Sequence, residues 1–352
     1  MKNLIIPAAG SSTRFPNVRP KWLLTQPTGE LMLTSAISGL NLKEFDSIYL
    51  VVLKNHIDKY DCIRGIKESF DSLNILHKLN ITILANETRS QAETVSAAIR
   101  QENISGGIFI KDSDNYFETD VVSGNKICVY DLNETKLINP TNKSYVLIND
   151  VNLITNIIEK KIISSFFCCG GYSFESAEKF LEYYEKLKNF DNLYISHIIY
   201  SMILDGHCFF PALSNNYKDW GTIDDWYQYK DKFTTFFIDI DGVLVENSAE
   251  FFSPYWGDTS GITENIEIIN KLFDSGKSQI ILTTSRKQKY KEVTEQQLAK
   301  NGVKYHQIIF DLLSSKRIII NDYSNTNKFK SCDSINIKRN SKELGDILKK
   351  YL

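Results

Sequence analysis

The chain has 352 residues, 42% hydrophobic and 24% charged, with a formal net charge of −2. That length suits about two domains, each with enough apolar material for a core. The near-neutral balance supplies no basic field for nucleic acid or an anionic membrane, and no run approaches the roughly 18 apolar residues of a membrane span.

The opening Met1–Gly10 has the look of a signal peptide, but its apolar run is short and Arg14 and Arg19 follow at once. The six cysteines form no CxxC pair, which reads as reduced thiols rather than a disulfide framework. The expectation is a cytoplasmic enzyme with no nucleic-acid or membrane partner, its self-association left open.

Leu4-Ile5-Ile6 reads as a short buried strand, and Pro7-Ala8-Ala9-Gly10-Ser11-Ser12-Thr13-Arg14-Phe15 as a loop of small residues after it. Small side chains let backbone N–H groups approach a phosphate closely. Arg14 adds charge, and Lys21 of Pro20-Lys21 can reach the same phosphates as a point charge. Ala8, Ala9, Gly10 and Ser11 are thus candidate nucleotide-binding residues, with Arg14 and Lys21 as catalytic cations. Strands and helices then alternate: Ser47–Leu53, a helical pattern over Ile57–Phe70, Ile81–Leu84 and a helix over Gln91–Arg100. This order predicts an α/β fold with a mostly parallel sheet. Gly107–Lys111 is a buried strand that runs into Asp112-Ser113-Asp114-Asn115. Two carboxylates where a strand becomes a loop can offer hard oxygens to Mg²⁺, and ligands bind at such strand ends in open α/β sheets.

Ala8-Ala9-Gly10, Arg14 and Pro20-Lys21 together resemble the opening signature of the sugar-nucleotide pyrophosphorylases, nucleotidyltransferases of the glycosyltransferase-A-like (Rossmann-like) fold. The resemblance implies that Gln91 and Thr94 lie beside the nucleobase and α-phosphate. It implies a metal-binding Asp at the end of the strand before Asp112, with Asp114 preferred to Asp112. Glu159-Lys160 and Cys169-Gly170-Gly171-Tyr172 match two further family segments, which makes Lys160 the acceptor-phosphate cation and Gly171 a substrate-binding residue. Asp219-Trp220-Gly221-Thr222 resembles the segment that supplies the second carboxylate, so Asp219 would pair with Asp114 on Mg²⁺. Asp224 and Asp225 read as helix N-terminal acids. The run Asp112–Asn115 is similar to cytidylyltransferases that activate small alcohol phosphates, which favours CTP as the nucleoside triphosphate and a sugar or polyol phosphate as acceptor.

A charged hinge at Tyr229-Lys230-Asp231-Lys232 separates this domain, residues 1–230, from a second over residues 235–352. The second opens on the apolar strand Thr235–Ile240, ending in Asp239-Ile240-Asp241-Gly242. Two Asp two residues apart on an extended segment point the same way. One can serve as nucleophile and the other as acid/base, with Mg²⁺ between them and a phosphate. Gly242 permits the tight turn. This DxDGVLV after an apolar strand resembles the haloacid-dehalogenase (HAD) superfamily of phosphohydrolases. The resemblance implies a smaller HAD-like Rossmannoid domain with Thr284 (Thr283 as alternative) on the phosphate, Lys316 (or Arg317) before a strand Ile318–Ile320, and Asp322 completing a magnesium site with Asp239 and Asp241. Leu244–Ile262 is too short for a cap domain, so Phe251, Phe252, Tyr255 and Trp256 are expected to form a flap. Helices are predicted over Thr263–Ser275, Lys287–Asn301 and Ser341–Tyr351.

The resulting expectation is a bifunctional enzyme with one Mg²⁺ per domain, a nucleotidyltransferase joined to a phosphomonoesterase, making activated precursors for capsular or other surface polysaccharide. One rival keeps the first fold as a glycosyltransferase. Arg14 with Pro20-Lys21 argues against it, because sugar-nucleotide donors need no pyrophosphate loop. Another makes one domain a degenerate binding module, against which stands the filling of every named catalytic position.

Overall fold

The computed structural model describes residues 2–10, 15, 18–120, 123–135, 139–322 and 331–352. The expected phosphate-loop residues Ser11 and Arg14 lie outside them. The chain divides into two compact units, Met1–Tyr227 and Gln228–Leu352. Among the described residues no helix is long and apolar enough to cross a membrane.

The first unit opens with β1 (Lys2–Pro7), whose Leu4, Ile5 and Ile6 are fully buried. A strand covered on both faces must be apolar throughout, which explains the unbroken run. A short 3₁₀ turn at Lys21–Leu23 and helix α1 (Met32–Ile37) lead to β2 (Ser47–Leu53), parallel to β1. The single helix expected next is two, α2 (Lys54–Tyr60) and α3 (Ile63–Asp71). Asp61 separates them with a left-handed φ of 43°, and its N–H closes α2 on the Ile57 carbonyl at 2.9 Å. Asp tolerates that conformation better than bulkier residues, and it ends a helix.

Strand β3 (Leu79–Leu84), helix α4 (Gln91–Gln101) and strand β4 (Gly107–Lys111) complete a parallel set in the order β3-β2-β1-β4. Ser90 caps α4 by accepting from the Glu93 N–H at 3.2 Å. The chain continues through β5 (Asn115–Glu118), β6 (Lys126–Asp131), β7 (Ser144–Ile148), β8 (Ile154–Glu159) and β9 (Phe166–Phe174). Helices α5 (Ala177–Leu187) and α6 (Ile195–Leu204) follow, then β10 (Phe210–Leu213), β11 (Asn215–Asp219) and α7 (Ile223–Lys230), whose last turn occupies the expected hinge.

β9 runs antiparallel to both β4 and β6, so the nine-stranded sheet is mixed rather than parallel throughout. The sheet has a core on each side. Ile5, Val51 and Leu53 face α4, α5 and α6, while Leu4, Ile6, Leu50 and Val52 belong to the core that contains Leu33, Ile66 and Phe70 of α1 and α3. The alternation follows from the two-residue period of a strand. β5 and β11 form a separate antiparallel ribbon with Asp219 opposite Asn115.

The second unit has a parallel sheet of β12 (Thr234–Asp239), β13 (Ser278–Thr283) and β14 (Gln307–Ile309) in sequential order. Helix α8 (Thr263–Asp274) connects β12 to β13, and α9 (Lys291–Lys300) connects β13 to β14. α10 (Leu344–Leu348) buries Leu344 and Leu348 in the same core as Ile269, Leu272 and Leu298. The strand expected at Ile318–Ile320 is not present. Those three isoleucines are 74%, 50% and 90% exposed, and the sheet ends at β12. Their β-branched composition favours a strand, but without a ladder partner that preference has nothing to bind to.

Candidate active site

In the first unit, the sheet delivers β4 into the loop Asp112–Asp114, and the β5–β11 ribbon delivers Asp219 beside it. The Trp220 N–H donates to the Asp114 carbonyl at 2.9 Å, tying the two acidic segments together. Lys21, from the turn after the small-residue loop, pairs with the buried Asp114 carboxylate. On the neighbouring strand the Asp219 carboxylate accepts from the Gly221 N–H at 3.1 Å and pairs with Lys143 Nζ at 2.6 Å. Lys143 also donates to the Tyr217 hydroxyl at 2.7 Å. Two carboxylates and two ammonium groups therefore meet at one end of the unit.

Beneath them is a fully buried Lys111. Its Nζ donates to the Asp112 carbonyl at 2.8 Å, the Asn115 carbonyl at 2.9 Å and Asn115 Oδ1 at 2.6 Å, and stands 4.6 Å from the Phe117 ring centroid. These contacts hold the acidic loop in shape from below. Burial pushes Lys111 down to about 8, opposed by the Asp112 charge. Burial, then the Asp114 charge, pushes Asp112 up to about 6. Gln91 Nε2 donates to Asp112 Oδ1, which brings the first turn of α4 to the acidic loop. The carbonyl oxygen of Gly170, a residue with φ 89°, accepts from the Asp112 N–H at 2.9 Å. A Cβ there would lie 2.4 Å from Asn115 Nδ2 and 2.6 Å from Asp112 Oδ2.

Other expected residues take quieter positions. Thr94 is buried, with its hydroxyl 2.6 Å from that of Thr88, so its oxygen is engaged within the start of α4. Gly171 pairs with Lys111 across the sheet, where a Cβ would strike Phe117 and Cys128; it serves packing at this site. Ala8 and Ala9 are buried, and the Ala8 N–H is spent on the Val51 carbonyl at 2.8 Å, whereas Gly10 is exposed. Lys160, at φ 55°, donates to the Tyr194 hydroxyl at 2.6 Å, and its N–H bonds the Lys143 carbonyl at 3.0 Å. Asp225 and Thr222 close a capping box on α7, with Thr222 N–H to Asp225 at 3.0 Å and Asp225 N–H to Thr222 at 3.2 Å.

The donor set of Asp114 and Asp219 fits Mg²⁺. It consists of hard carboxylate oxygens on adjoining segments, without sulfur or imidazole, and Mg²⁺ takes one or two such groups plus substrate phosphates. Among the described residues no cluster of three acidic, histidine or cysteine ligands forms.

In the second unit Asp239 ends β12 opposite Thr283 of β13. Arg317 rather than Lys316 reaches it, with Nη2 3.2 Å from Asp239 Oδ1. Asp241 is clamped on both oxygens by the fully buried Arg286, through Nε at 2.9 Å and Nη2 at 2.7 Å. The remaining donor of Arg286, Nη1, is held by Thr294 at 3.1 Å and Gln297 at 2.9 Å. Thr284 is buried, its hydroxyl accepting from the Arg286 N–H at 3.1 Å. Asp322 lies on the exposed chain after Ile320, and among the described residues of the second unit no group of three acidic, histidine or cysteine side chains, such as the expected Asp239, Asp241 and Asp322, forms. Of the expected flap, Phe251 and Phe252 are exposed, while Trp256 packs edge-on against Tyr290 at 5.1 Å and sits 6.0 Å from the Arg286 guanidinium.

Lys143, Lys111, Gly170 and Arg286 were not assigned roles from sequence. Lys111 carried a signal, a cation inside an apolar strand next to two acids. Lys143 carried none, because its partner is 76 residues away in the chain.

No family model matches the chain, and no curated protein matches it. Solved structures do. A nucleoside-diphosphate-sugar pyrophosphorylase from Vibrio cholerae RC9 superposes with a TM-score of 0.55 at 22% identity, covering 64% of this chain and 98% of that one. The inositol-1-phosphate CTP transferase from T. maritima gives 0.50 at 17% identity, covering 64% of this chain and 90% of that one. A UDP-glucose pyrophosphorylase complexed with UDP-glucose gives 0.52 at 13% identity, over 65% of this chain and 97% of that one. About two thirds of the chain therefore has the fold of these nucleotidyltransferases. At such identities the likeness establishes the fold.

Proposed function

We propose that the first unit is a nucleotidyltransferase that joins a nucleoside triphosphate to a sugar or polyol phosphate. The observation that carries this is the convergence of Lys21–Asp114 and Lys143–Asp219 at one strand end of a pyrophosphorylase-like fold. An oxygen of the acceptor phosphomonoester attacks the α-phosphorus, the bond to the β-phosphate oxygen breaks, and pyrophosphate leaves. The reaction needs positioning and charge neutralisation rather than a protein nucleophile. Lys21 supplies positive charge to the triphosphate, and Lys160 to the acceptor. Asp114 and Asp219 would hold Mg²⁺, which supplies charge neutralisation between the phosphates. Lys111 and Gln91 keep the acidic loop in place. CTP is favoured by the Asp112–Asn115 run, and one structural neighbour is a CTP transferase acting on inositol-1-phosphate.

The second unit is proposed as a phosphomonoesterase of the same pathway, serving surface-polysaccharide precursors by removing one phosphate from a bisphosphate before activation at the other. Its support is the DxDG strand end, with Asp239 poised beside Arg317. Asp239 attacks phosphorus to form an aspartyl-phosphate while the bond to the alcohol oxygen breaks and that oxygen takes a proton from Asp241; Asp241 then takes a proton from water, which cleaves the aspartyl-phosphate and releases phosphate. The bidentate Arg286 pair leaves each Asp241 oxygen a further lone pair to carry that proton. Arg317 offsets the phosphoryl charge.

The deciding experiment incubates the full chain with Mg²⁺, each of four nucleoside triphosphates and a panel of sugar and polyol phosphates, and follows pyrophosphate. Pyrophosphate released only with a particular triphosphate and acceptor supports the reading. Silence across the panel, with nucleotide binding intact, overturns it.

A further inference from the structure

Lys143 is built into the site more deliberately than a surface lysine. Its side chain is 17% exposed and that of its partner Asp219 is 16% exposed. Its ammonium is shared between the Asp219 carboxylate and the Tyr217 hydroxyl, and lies 5.4 Å from the Tyr217 ring centroid. Tyr217 is itself buried, and its hydroxyl is a fixed acceptor for Lys143.

Position adds a second line of argument. Lys143 immediately precedes β7, and the Lys160 N–H bonds its carbonyl at 3.0 Å. Ser144 stands opposite Glu159, so the two lysines leave the same end of the β7–β8 hairpin. Asp114 is in turn held by Lys21. Each carboxylate suited to a divalent cation is thus already neutralised by a lysine.

We propose that Lys143 is an exchangeable cation of this site, holding Asp219 in the ion-free enzyme and moving to the acceptor's phosphate when a divalent cation takes that carboxylate. This deepens the nucleotidyltransferase reading and rests on it. A lysine suits the role because its charge is a compact point on a four-carbon stem with rotatable donors. A divalent cation competes with twice the charge for the same oxygen, and the displaced ammonium then needs a new anion. The dianionic phosphate of an acceptor, flanked by Lys160, is the nearest chemical match. The site would accordingly select an acceptor that presents a dianionic phosphomonoester over one with a single negative charge.

The test measures Mn²⁺ binding to the full chain, without nucleotide, by electron paramagnetic resonance of the free ion. Lys143→Met is expected to tighten Mn²⁺ binding about tenfold by removing the competitor. The same variant should raise the acceptor KM about tenfold or more while leaving the triphosphate KM unchanged. Tyr217→Phe, which removes one tether, should tighten Mn²⁺ binding by a smaller factor and covers the case in which the first variant does not fold. Asp219→Asn should weaken binding in the same assay. Unchanged or weaker Mn²⁺ binding in both Lys143→Met and Tyr217→Phe overturns the exchange, even if the wild type transfers nucleotide. Tighter binding in a protein that releases no pyrophosphate with any triphosphate leaves the exchange standing and overturns the nucleotidyltransferase reading instead.

Discussion

The two units neutralise their carboxylates with different cations. In the first, Asp114 and Asp219 each face a lysine. In the second, Asp241 is held on both oxygens by Arg286, which is itself fully buried and anchored by Thr294 and Gln297. A lysine ammonium can leave one anion for another with a rotation of its stem. A guanidinium fork held through all three of its nitrogens cannot do so without leaving buried polar groups unpaired. The difference separates an arrangement suited to exchange of ions from one suited to holding a single geometry. Arg317 on Asp239 is the intermediate case, since it bonds through one nitrogen at 3.2 Å and its side chain is 41% exposed.

The largest effects should separate the two chemistries. Lys21→Ala is expected to lower nucleotide transfer by about 10²–10³-fold and leave phosphomonoester hydrolysis unchanged. Asp239→Asn should do the reverse, abolishing hydrolysis and leaving transfer intact. Parallel assays of pyrophosphate and phosphate release check both. Equal transfer by wild type and Lys21→Ala, or persistent hydrolysis by Asp239→Asn, would break the assignment of that unit.

Next in size is the clamp. Arg286→Met should destabilise the second unit by about 3–5 kcal/mol, because Asp241 loses its partner in a largely buried setting. Arg286→Lys should recover less than half of that, since one ammonium cannot reproduce the fork. Urea unfolding of the full chain, followed by fluorescence, measures it. Full recovery by lysine would erase the distinction drawn above.

A smaller effect tests the acidic loop. Gly170→Ala places a Cβ 2.4 Å from Asn115 Nδ2 at a φ of 89°. The expected cost is about 2 kcal/mol in the first unit, with a larger proportional loss of transfer than of phosphatase activity. Thermal unfolding and the two assays decide it.

The smallest concerns pH. His56 is buried, and that burial lowers its pKa below the ordinary histidine value of 6.5. Because the folded value lies below the unfolded one, the unfolded chain binds more protons on acidification. Stability from this group is therefore present above about pH 6.5 and is lost as pH falls through the folded value. The first unit's melting transition should fall as pH drops below about 6.5. His56→Gln should flatten that drop, with the second unit's transition as internal reference. An identical pH profile in the variant would remove His56 as the cause.

Much of the first unit was legible because its signals are local. Apolar runs at β1, β2 and β4, the capped helix α4 and the acids after β4 are each set by a few consecutive residues. The single helix expected over Ile57–Phe70 failed at Asp61, where one left-handed residue outweighs the helical pattern on either side. Ile318–Ile320 failed for the opposite reason: strand propensity is realised only when a ladder accepts it.

By itself, the chain's order of residues determined the alternating α/β pattern and the positions of the acids at strand ends. Those properties depend on neighbours within a few positions, and short-range backbone and hydrophobic preferences are enough to set them. Tertiary structure alone decided which cation meets which acid: Lys143 on Asp219, Arg286 on Asp241 and Arg317 rather than Lys316 on Asp239. Those pairings join residues 45 to 78 positions apart, and only the packed sheets bring them within reach.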